Sequence, residues 1–561
     1  MRGRRKHAAG GGTGAQHEGG KGGGRKAAGR VMPPGFRLAS LGAFIAAGLL
    51  SGPALADSSE LGPGLITPGI TSGTATSIGS KPASPNGTPE QPLPNAWQIT
   101  PTIEVGGAFT DNAADAPRGE AQSDFFATVT PGVTIHGDGD RLKLDLNYQL
   151  EDVRYYRITD QDRVNNLLNG VAKLAIIPDH LFLDVTSSVS QQTITPTGAI
   201  AATPETTNVN NQTTVSTYSV SPYWRSHFSN FADSELRYTF NQVFSGTSQV
   251  SNTTSNSINL QANSGTDFTR LLWTTQALDT ETHLGNSTEV LDGLPLSNLN
   301  TSHRLAQVSP EYVINDYVAL LATAGWEEIN DPTVPDKPDG AIGSVGFRLR
   351  PGPRTSLTAE YNHRYNRNYA TGDFAYKITP TAIFSASYTE DEATTEGLAA
   401  QDVSFLSTDE FGNFIDERTA QEFQINNTGF GLSNAAFIQK RFQAKLTYQL
   451  GRNQLNLLGY NERRDTLLTG ITEVDTGASI NFDRDLDYTT TLAVTLRILN
   501  QNFGTPELGK DQIYGTTVGL VRHLNSTLDG LLDYDLLVRN SNIANEGTVE
   551  NVISIGLRKS F

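Results

Sequence analysis

Nine polar side chains stand at every second position of segments that are otherwise apolar. In LKLDLNYQL, residues 142–150, leucine and tyrosine alternate with Lys143, Asp145 and Asn147. Later segments repeat the alternation with Gln443, Lys445, Arg497, Asp529, Asp533 and Asp535. Because the side chains of a strand point alternately to opposite faces, these residues predict one mixed-charge face. Such a face can line a path for hydrophilic solute, or its charges can pair across strands and stiffen a wall.

Catalytic chemistry is not indicated elsewhere in the chain. Of the nine histidines, seven lie beyond the N-terminal leader and are scattered without paired ligand spacing; they are His136, His180, His227, His283, His303, His363 and His523. The sequence has no cysteine and no G-x-S-x-G element. We therefore expect no catalytic residue, no cofactor and no metal site, and no enzymatic activity. A Ser–His pair brought together across strands, as in a membrane-embedded esterase, is the enzymatic alternative.

An acidic segment interrupts the alternation. Residues 390–422 hold ten acidic side chains and a single arginine, Arg418. At a cell surface, such a loop would be solvated, or it would hold divalent cations beside lipopolysaccharide. The spacing of its oxygens matches no known calcium loop.

Period-two segments run from Trp97 to Phe561, and their connections alternate between short and long. The predicted short turns lie at 137–140, 177–180, 227–230, 313–317, 351–354, 379–381, 451–453, 483–487 and 523–526. The predicted long loops lie at 111–123, 195–213, 280–302, 330–340, 391–434, 464–472 and 501–510. This pattern is typical of a transmembrane barrel with short periplasmic turns and long extracellular loops. A closed sheet also satisfies every backbone N–H and C=O in lipid.

The sequence therefore predicts an all-β fold, an antiparallel up-and-down β-barrel of about 22 strands, with 18–24 as the range. An even strand number places both ends of the barrel on the periplasmic side. A barrel of this size has a wide lumen. We expect the long segment 391–434 to fill it.

The N-terminal residues predict export and a tether. Residues 1–56 combine a basic leader with an apolar run and a small-x-small cleavage motif, Ala54 to Ala56, and Met32 is a second possible start. Residues 57–96 are rich in Gly, Pro, Ser and Thr and predict a flexible periplasmic tether. The net charge of the whole chain is −17. Since the leader carries +8, the remainder carries −25, which argues against nucleic-acid binding.

The C-terminus, NVISIGLRKSF, has the pattern of a closing barrel strand. Ile553, Ile555 and Leu557 fall on one face, and the chain ends at the aromatic Phe561. This resembles the signal that the outer-membrane assembly machinery reads. Lys559 departs from it, because it stands where an aromatic residue is usual. Its stem can lie along lipid while the ammonium reaches water.

Two neighbouring segments resemble a known family. Residues 97–112, WQITPTIEVGGAFTDN, and 123–150, SDFFATVTPGVTIHGDGDRLKLDLNYQL, are similar to the PEP-CTERM system-associated outer-membrane proteins. The resemblance covers roughly 60 residues and implies a porin-like β-barrel linked to exosortase sorting and exopolysaccharide production. It makes polysaccharide a partner alongside outer-membrane lipid and lipopolysaccharide. It assigns no functional residue.

Four functions are compatible with these observations. The first is a pore or scaffold for hydrophilic material in the outer membrane of a Gram-negative cell. A structural or adhesion surface barrel with a closed lumen is the alternative. A TonB-dependent receptor would suit the strand number but needs a folded plug domain, for which 57–96 is short. An outer-membrane enzyme would need the hidden Ser–His pair.

Overall fold

The computed structural model describes residues 97–113, 115–195, 197–198, 200–334, 339–404, 406–408, 414–416, 421–422, 430–544 and 546–561. The predicted leader with Ala54 and Ala56, the start at Met32 and the tether 57–96 lie outside the described residues. Parts of the predicted segment 391–434 lie outside them as well.

Almost all of the described chain is β-strand. The strands are β1 Trp97–Thr110, β2 Asp124–Asp138, β3 Leu142–Tyr155, β4 Arg163–Ile177, β5 Leu181–Thr193, β6 Gln212–Phe228, β7 Ala232–Ser245, β8 Thr253–Ser264, β9 Leu271–Leu284, β10 Val290–Leu291, β11 Leu294–Pro295, β12 Leu299–Asn315, β13 Val318–Asn330, β14 Gly340–Gly352, β15 Thr355–Arg364, β16 Arg367–Thr379, β17 Ala382–Ala393, β18 Leu406–Thr408, β19 Phe414–Asp416, β20 Gln421–Glu422, β21 Phe437–Leu450, β22 Asn453–Thr466, β23 Thr472–Asp485, β24 Thr490–Asn502, β25 Lys510–Asn525, β26 Leu528–Ser541 and β27 Thr548–Ser560. One α-helix, α1, spans Thr395–Ser404, and single 3₁₀ turns span Thr159–Gln161 and Val209–Asn211.

Twenty-two of these strands form one closed antiparallel sheet. Each strand pairs with the next barrel strand along the chain, and β1 pairs with β27 from Thr102↔Ser560 to Thr110↔Val552. The short strands β10, β11 and β18–β20 lie in the loops and form two small separate sheets. The predicted all-β barrel and its strand number are confirmed.

The two faces of the sheet differ in chemistry. Residues of one face are large, apolar and exposed, as at Ile553, Ile555 and Leu557, which are 52, 67 and 52% exposed. Charged and hydroxyl side chains alternate with them on the other face. Because apolar side chains gain nothing from exposure to water, the apolar face is the convex, lipid-facing one. The polar face lines the lumen.

The connections alternate as predicted, with differences in detail. The sequence did not reveal the loops at 156–162, 246–252, 265–270 and 542–547. It also overestimated the loop at 280–302, since β9 continues to Leu284 and β12 begins at Leu299. Within that loop, the pair Asp292–Gly293 takes positive φ values of 49° and 79° and turns β10 into β11. An Asp-Gly pair is the residue combination that such a tight turn favours.

One connection at the long-loop end is only two residues long. Tyr365 and Asn366 join β15 to β16 with φ values of 55° and 52°. Two consecutive positive φ values define a hairpin turn of the type usually built from Asn and Gly. A tyrosine in the first position gives no sequence signal for it. None of the described residues belongs to a helix long and apolar enough to span a membrane.

Candidate functional site: the lumen of the barrel

All nine residues predicted to line the lumen lie on one continuous face of the sheet. On β3, Lys143, Asp145 and Asn147 pair with Lys173, Val171 and Asn169 of β4. On β21, Gln443 and Lys445 pair with Tyr460 and Leu458 of β22. Arg497 faces Gly515, Asp535 faces Thr517, Asp533 faces Gly519, and Asp529 faces His523. The sequence predicts the face on which each residue lies within its own strand. The register of the sheet then shows which residues of neighbouring strands lie side by side.

Several of these residues have partners across strands. The Asp145 carboxylate lies 2.6 Å from His136 Nδ1, and Lys143 Nζ lies 3.4 Å from Asp138. Asp529 lies between His523, at 2.7 Å, and Arg558, at 3.2 Å. Pairing across strands, which stiffens the wall, therefore accounts for some of the nine residues. Whether the nine residues also line a path for solute stays a prediction.

The loop 194–211, which joins β5 to β6, folds against distant strands. Its Ala202 N–H donates to Glu550 Oε2 on β27 at 2.6 Å, and Arg163 on β4 donates to the carbonyl of Pro204 at 2.9 Å. The Tyr155 hydroxyl on β3 donates to the Glu205 carbonyl at 2.8 Å. We call residues 194–211 the inner loop, because it reaches the inner face of β27 past four intervening strands.

Arg539 on β26 fixes the opposite part of the inner loop. Its guanidinium donates to the carbonyls of Gly198 and Thr197 at 2.7 and 3.1 Å. The same group donates to Asp511 Oδ2 at 2.7 Å, and both side chains are almost completely buried. A buried charge needs such a partner, since burying it alone is costly. The inner loop is therefore held by charged and backbone hydrogen bonds.

Asp115 supports the inner loop from the connection between β1 and β2. Its Oδ2 accepts the Asn208 N–H at 2.9 Å. Its Oδ1 is buried and has no hydrogen-bond partner in the described part of the chain. Burial first, and then the nearby Glu550 carboxylate, raise the pKa of Asp115 well above its usual range, against the opposing effect of the Asn208 N–H.

The described residues of the segment 394–436 reach across the lumen. The segment leaves β17, the fifteenth strand of the ring, and its helix α1 packs against β5, β6 and β7, while β18 contacts β4, the fourth strand. In a ring of 22 strands, β17 and β4 stand opposite each other. We call residues 394–436 the strap. These contacts place the described part of the strap inside the barrel, and the filling of the lumen by this segment stays a prediction.

Apolar side chains form the seat of the strap. Ala399, Val403 and Leu406 pack on Val171, which lies near the middle of β4. Ala400 packs on Val215 of β6 and Val243 of β7, together with Leu432. Val403 has no exposed surface. Since Val171 is several residues from either end of its strand, the strap reaches well into the barrel.

The far end of the strap is tied to the loop 285–298. Glu289 accepts hydrogen bonds from Ser433 Oγ at 2.6 Å and from the Asn434 N–H at 2.9 Å. Burial raises the pKa of Glu289, and the bonds from Ser433 and Asn434 oppose that shift. These bonds join two long connections above the lumen.

Two buried ion-pair clusters near the loop end of the barrel escaped the sequence analysis. Glu462 on β22 binds both Arg441 and Arg464 and is fully buried. Glu327 on β13 binds Arg364 of β15 at 2.5 Å and His303 at 2.7 Å. These residues stand on polar positions of period-two segments, so the alternation could have found them. Their pairing depends on register, which the sequence does not give.

The predicted assembly residues lie at the seam of the ring. Ile553, Ile555 and Leu557 pair with β1 at Phe109, Gly107 and Val105, on the convex face. Phe561 donates its N–H to the Pro101 carbonyl at 3.0 Å. Lys559 contacts Thr527 Oγ1, and its ammonium lies 5.9 Å from the centre of the Phe561 ring. Their role as an assembly signal stays a prediction.

Across the described ranges, no group of three or more His, Asp or Glu side chains is arranged to hold a metal ion. The seven histidines beyond the leader stay dispersed, and their described contacts are with carboxylates, as for His136, with side-chain amides, as for His283, or with a neighbouring ring and a backbone carbonyl, as for His180.

The fold and the polar lumen define an outer-membrane β-barrel. No protein-family description and no curated protein matches the sequence. Among solved structures, the FrpB iron transporter from Neisseria meningitidis (F5-1 variant) is similar, with a TM-score of 0.50, 10% identity, and 84% of this chain and 83% of that chain covered. The siderophore receptor PirA from Pseudomonas aeruginosa has a TM-score of 0.44 and 9% identity, with 83% and 80% covered. At such identity, the likeness concerns the fold alone.

Proposed function

We propose that this protein is a non-enzymatic channel for hydrophilic solutes across the outer membrane. The observation that supports this function is the closed ring with an apolar convex face and a polar inner face. Polar inner faces are typical of barrels that hold a water-filled lumen.

The inner loop and the strap would set the size of this channel. Both fold inward from the long-loop end, and their described contacts with the wall lie on one arc of the ring, from β26 and β27 to β7. We expect them to form a constriction, so that small solutes pass and larger ones are held back. The strap is the natural target for a test, because its described contacts with the wall are largely apolar.

Planar-bilayer recording of the refolded protein tests the channel. We expect discrete conductance steps, and larger steps from a variant in which residues 395–436 are replaced by a short Gly/Ser linker. The migration of unheated and heated samples in detergent gels controls for folding of both proteins. A sealed bilayer with both proteins, although they are folded, would contradict the proposal and favour the structural or adhesion barrel.

The link to exopolysaccharide and exosortase systems rests on the resemblance of residues 97–150 and belongs to the proposal. It makes polysaccharide, or a precursor of it, the transported or attached material. Measurement of exported polysaccharide in a deletion strain tests it. Unchanged polysaccharide export together with reduced outer-membrane permeability would support the channel and contradict polysaccharide as the material that it carries.

A further inference from the structure

The inner loop and the strap cover one side of the lumen. The described contacts of the inner loop lie on β26, β27 and β3–β4, and those of α1 and β18 lie on β4–β7. Beneath α1, inward hydroxyl side chains are buried, with Thr217 0% and Ser219 3% exposed on β6. Water therefore has little access to the wall beneath α1.

The inner face of the following strands has the same kind of side chains but more exposure. Thr217 and Ser219 are buried beneath α1. On β8, β9 and β12, by contrast, inward residues are only half-buried, as at Ser257, Gln276, Thr280 and Gln307. Thr280 and Thr217 are chemically identical and both face inward. Their difference in exposure shows that the inner wall at β8, β9 and β12 is less covered than the wall beneath α1.

Uncharged side chains line this side, and apart from Leu278 and Leu305 most of them can form hydrogen bonds. Cross-strand side-chain bonds of 3.0, 3.0, 3.1 and 3.1 Å join Thr282 to Ser255, Thr280 to Ser257, Gln276 to Asn259 and Gln307 to Gln276. We call these seven residues the hydroxyl–amide track. β8 contains no charged residue, and the two acidic residues of β9, Asp279 and Glu281, stand on its exposed convex face.

The charges that flank the track are neutralised by partners. On the same inner face, Glu311 of β12 lies 2.7 Å from Arg348 of β14. Glu327 lies 2.5 Å from Arg364. On the β7 side, Arg237 lies 3.1 Å from Asp184 and 2.8 Å from Glu235. Close opposite charges cancel at a distance, so the track presents little net field to a passing solute.

We propose that solutes pass along the hydroxyl–amide track and that the channel favours uncharged, hydrogen-bonding solutes over ions of either sign. Hydroxyl and amide groups both donate and accept, so they can replace the water around a polar solute without a fixed charge. An ion would have to give up hydration without a compensating charge. This inference rests on the proposed channel and names its path and its solute class.

Single cysteines test the path, because the chain has no cysteine of its own. We expect a charged methanethiosulfonate reagent to lower the conductance of Thr280→Cys and Gln276→Cys channels in a bilayer. The matched controls Thr217→Cys and Ser219→Cys, on the covered side, should be unaffected. Block at the control positions with none on the track would overturn the path. Absence of conductance in the wild-type protein would instead contradict the proposed channel itself.

Ion selectivity and liposome swelling test the solute class. In a potassium chloride gradient, the wild-type channel should have a reversal potential near zero. Gln276→Glu should shift it toward cations and Gln276→Lys toward anions. Liposomes should swell faster with a neutral disaccharide than with a sugar acid or an amino sugar of similar size. Strong wild-type ion selectivity, or faster swelling with a charged sugar, would overturn the preference for uncharged solutes.

Discussion

Arg497 shows how a single glycine positions a charge in the lumen. Its guanidinium lies along the inner wall over Gly515 on the neighbouring strand. A Cβ atom at Gly515 would lie 2.2 Å from Arg497 Nε and 2.7 Å from Cγ. Since the Cγ atom is close to the backbone of Arg497, the side chain has little room to move aside. The missing side chain at Gly515 therefore leaves the space in which Arg497 lies flat against the wall.

We expect Gly515→Ala to destabilise the barrel by about 1–3 kcal/mol, the usual cost of overpacking. The midpoint of urea unfolding in detergent should fall. Gly459→Ala is the control, because no atom lies within 4 Å of a Cβ built there. Equal stability of the Gly515 and Gly459 variants would contradict the proposed packing of Arg497.

Asp115 makes the stability of the inner loop dependent on pH. Because burial and Glu550 raise the pKa of Asp115 in the folded protein, folding favours its protonated form. Its contribution to stability is complete below the ordinary pKa and is lost as the pH rises through the raised one. Arg163 and Arg539 oppose the shift without cancelling it.

We expect Asp115→Asn to become more stable relative to wild type as the pH rises. The neutral amide keeps an oxygen for the Asn208 N–H and has no charge to bury. Urea-unfolding midpoints of both proteins at several pH values measure the difference. A constant difference across the pH range would show that Asp115 does not titrate with folding.

Among single residues, the face of each polar side chain could be predicted and its partner could not. Period two placed Asp529 and Asp533 on one face because alternation is a local property of a strand. The contacts of Asp529 with Arg558 and His523 join different strands. Such pairings depend on register, which is set by the turns and by the closure of the ring.

At the scale of elements, the inner loop depends on a polar anchor. Arg539 connects the loop carbonyls of Gly198 and Thr197 to the buried Asp511. The strap, by contrast, rests on apolar contacts of α1 with Val171, Val215 and Val243. The two inward segments are thus held by different forces.

Arg539→Ala should cost about 3–5 kcal/mol, because it leaves the Asp511 carboxylate buried without its partner. Arg539→Lys should lose less, since it keeps the charge but not the planar fork that binds two carbonyls and a carboxylate. Urea unfolding measures the stability, and protease cleavage within 194–211 measures the docking of the loop. Unchanged cleavage in the alanine variant would show that the loop does not depend on Arg539.

Strands were predictable as elements, whereas the paths of the loops were not. Alternation over about ten residues is a strong local signal. The strap has a polar, acidic sequence, and its helix carries no clear apolar face. The sequence pattern therefore gave no signal that the strap packs on Val171. The turn at Tyr365 and Asn366 was missed because it lacks the usual Asn-Gly signature.

At the scale of the whole molecule, β27 carries the closing contact of the ring. Phe561 bonds to Pro101 next to the paired region of β1, and its ring is 71% exposed on the outside. Aromatic residues at this level anchor barrels to the membrane interface.

Deletion of Phe561 should reduce the amount of barrel inserted in the outer membrane, because it removes the terminal aromatic residue that we propose the assembly machinery reads. Heat-modifiable protein in isolated outer membranes measures the folded fraction. Phe561→Tyr, which keeps an aromatic ring, is the control. Normal insertion of the deletion variant, at the level of the control, would contradict the assigned role.

The seam between β1 and β27 also sets an order in time. Thr110 and Val552 are neighbours in the ring although 441 residues lie between them in the chain. A contact of such separation forms late, because the intervening chain must be arranged first. Until the last strand arrives, the backbone of β1 is an open edge that other chains can join. We therefore expect the edge of β1 to need protection from other chains until β27 has paired with it.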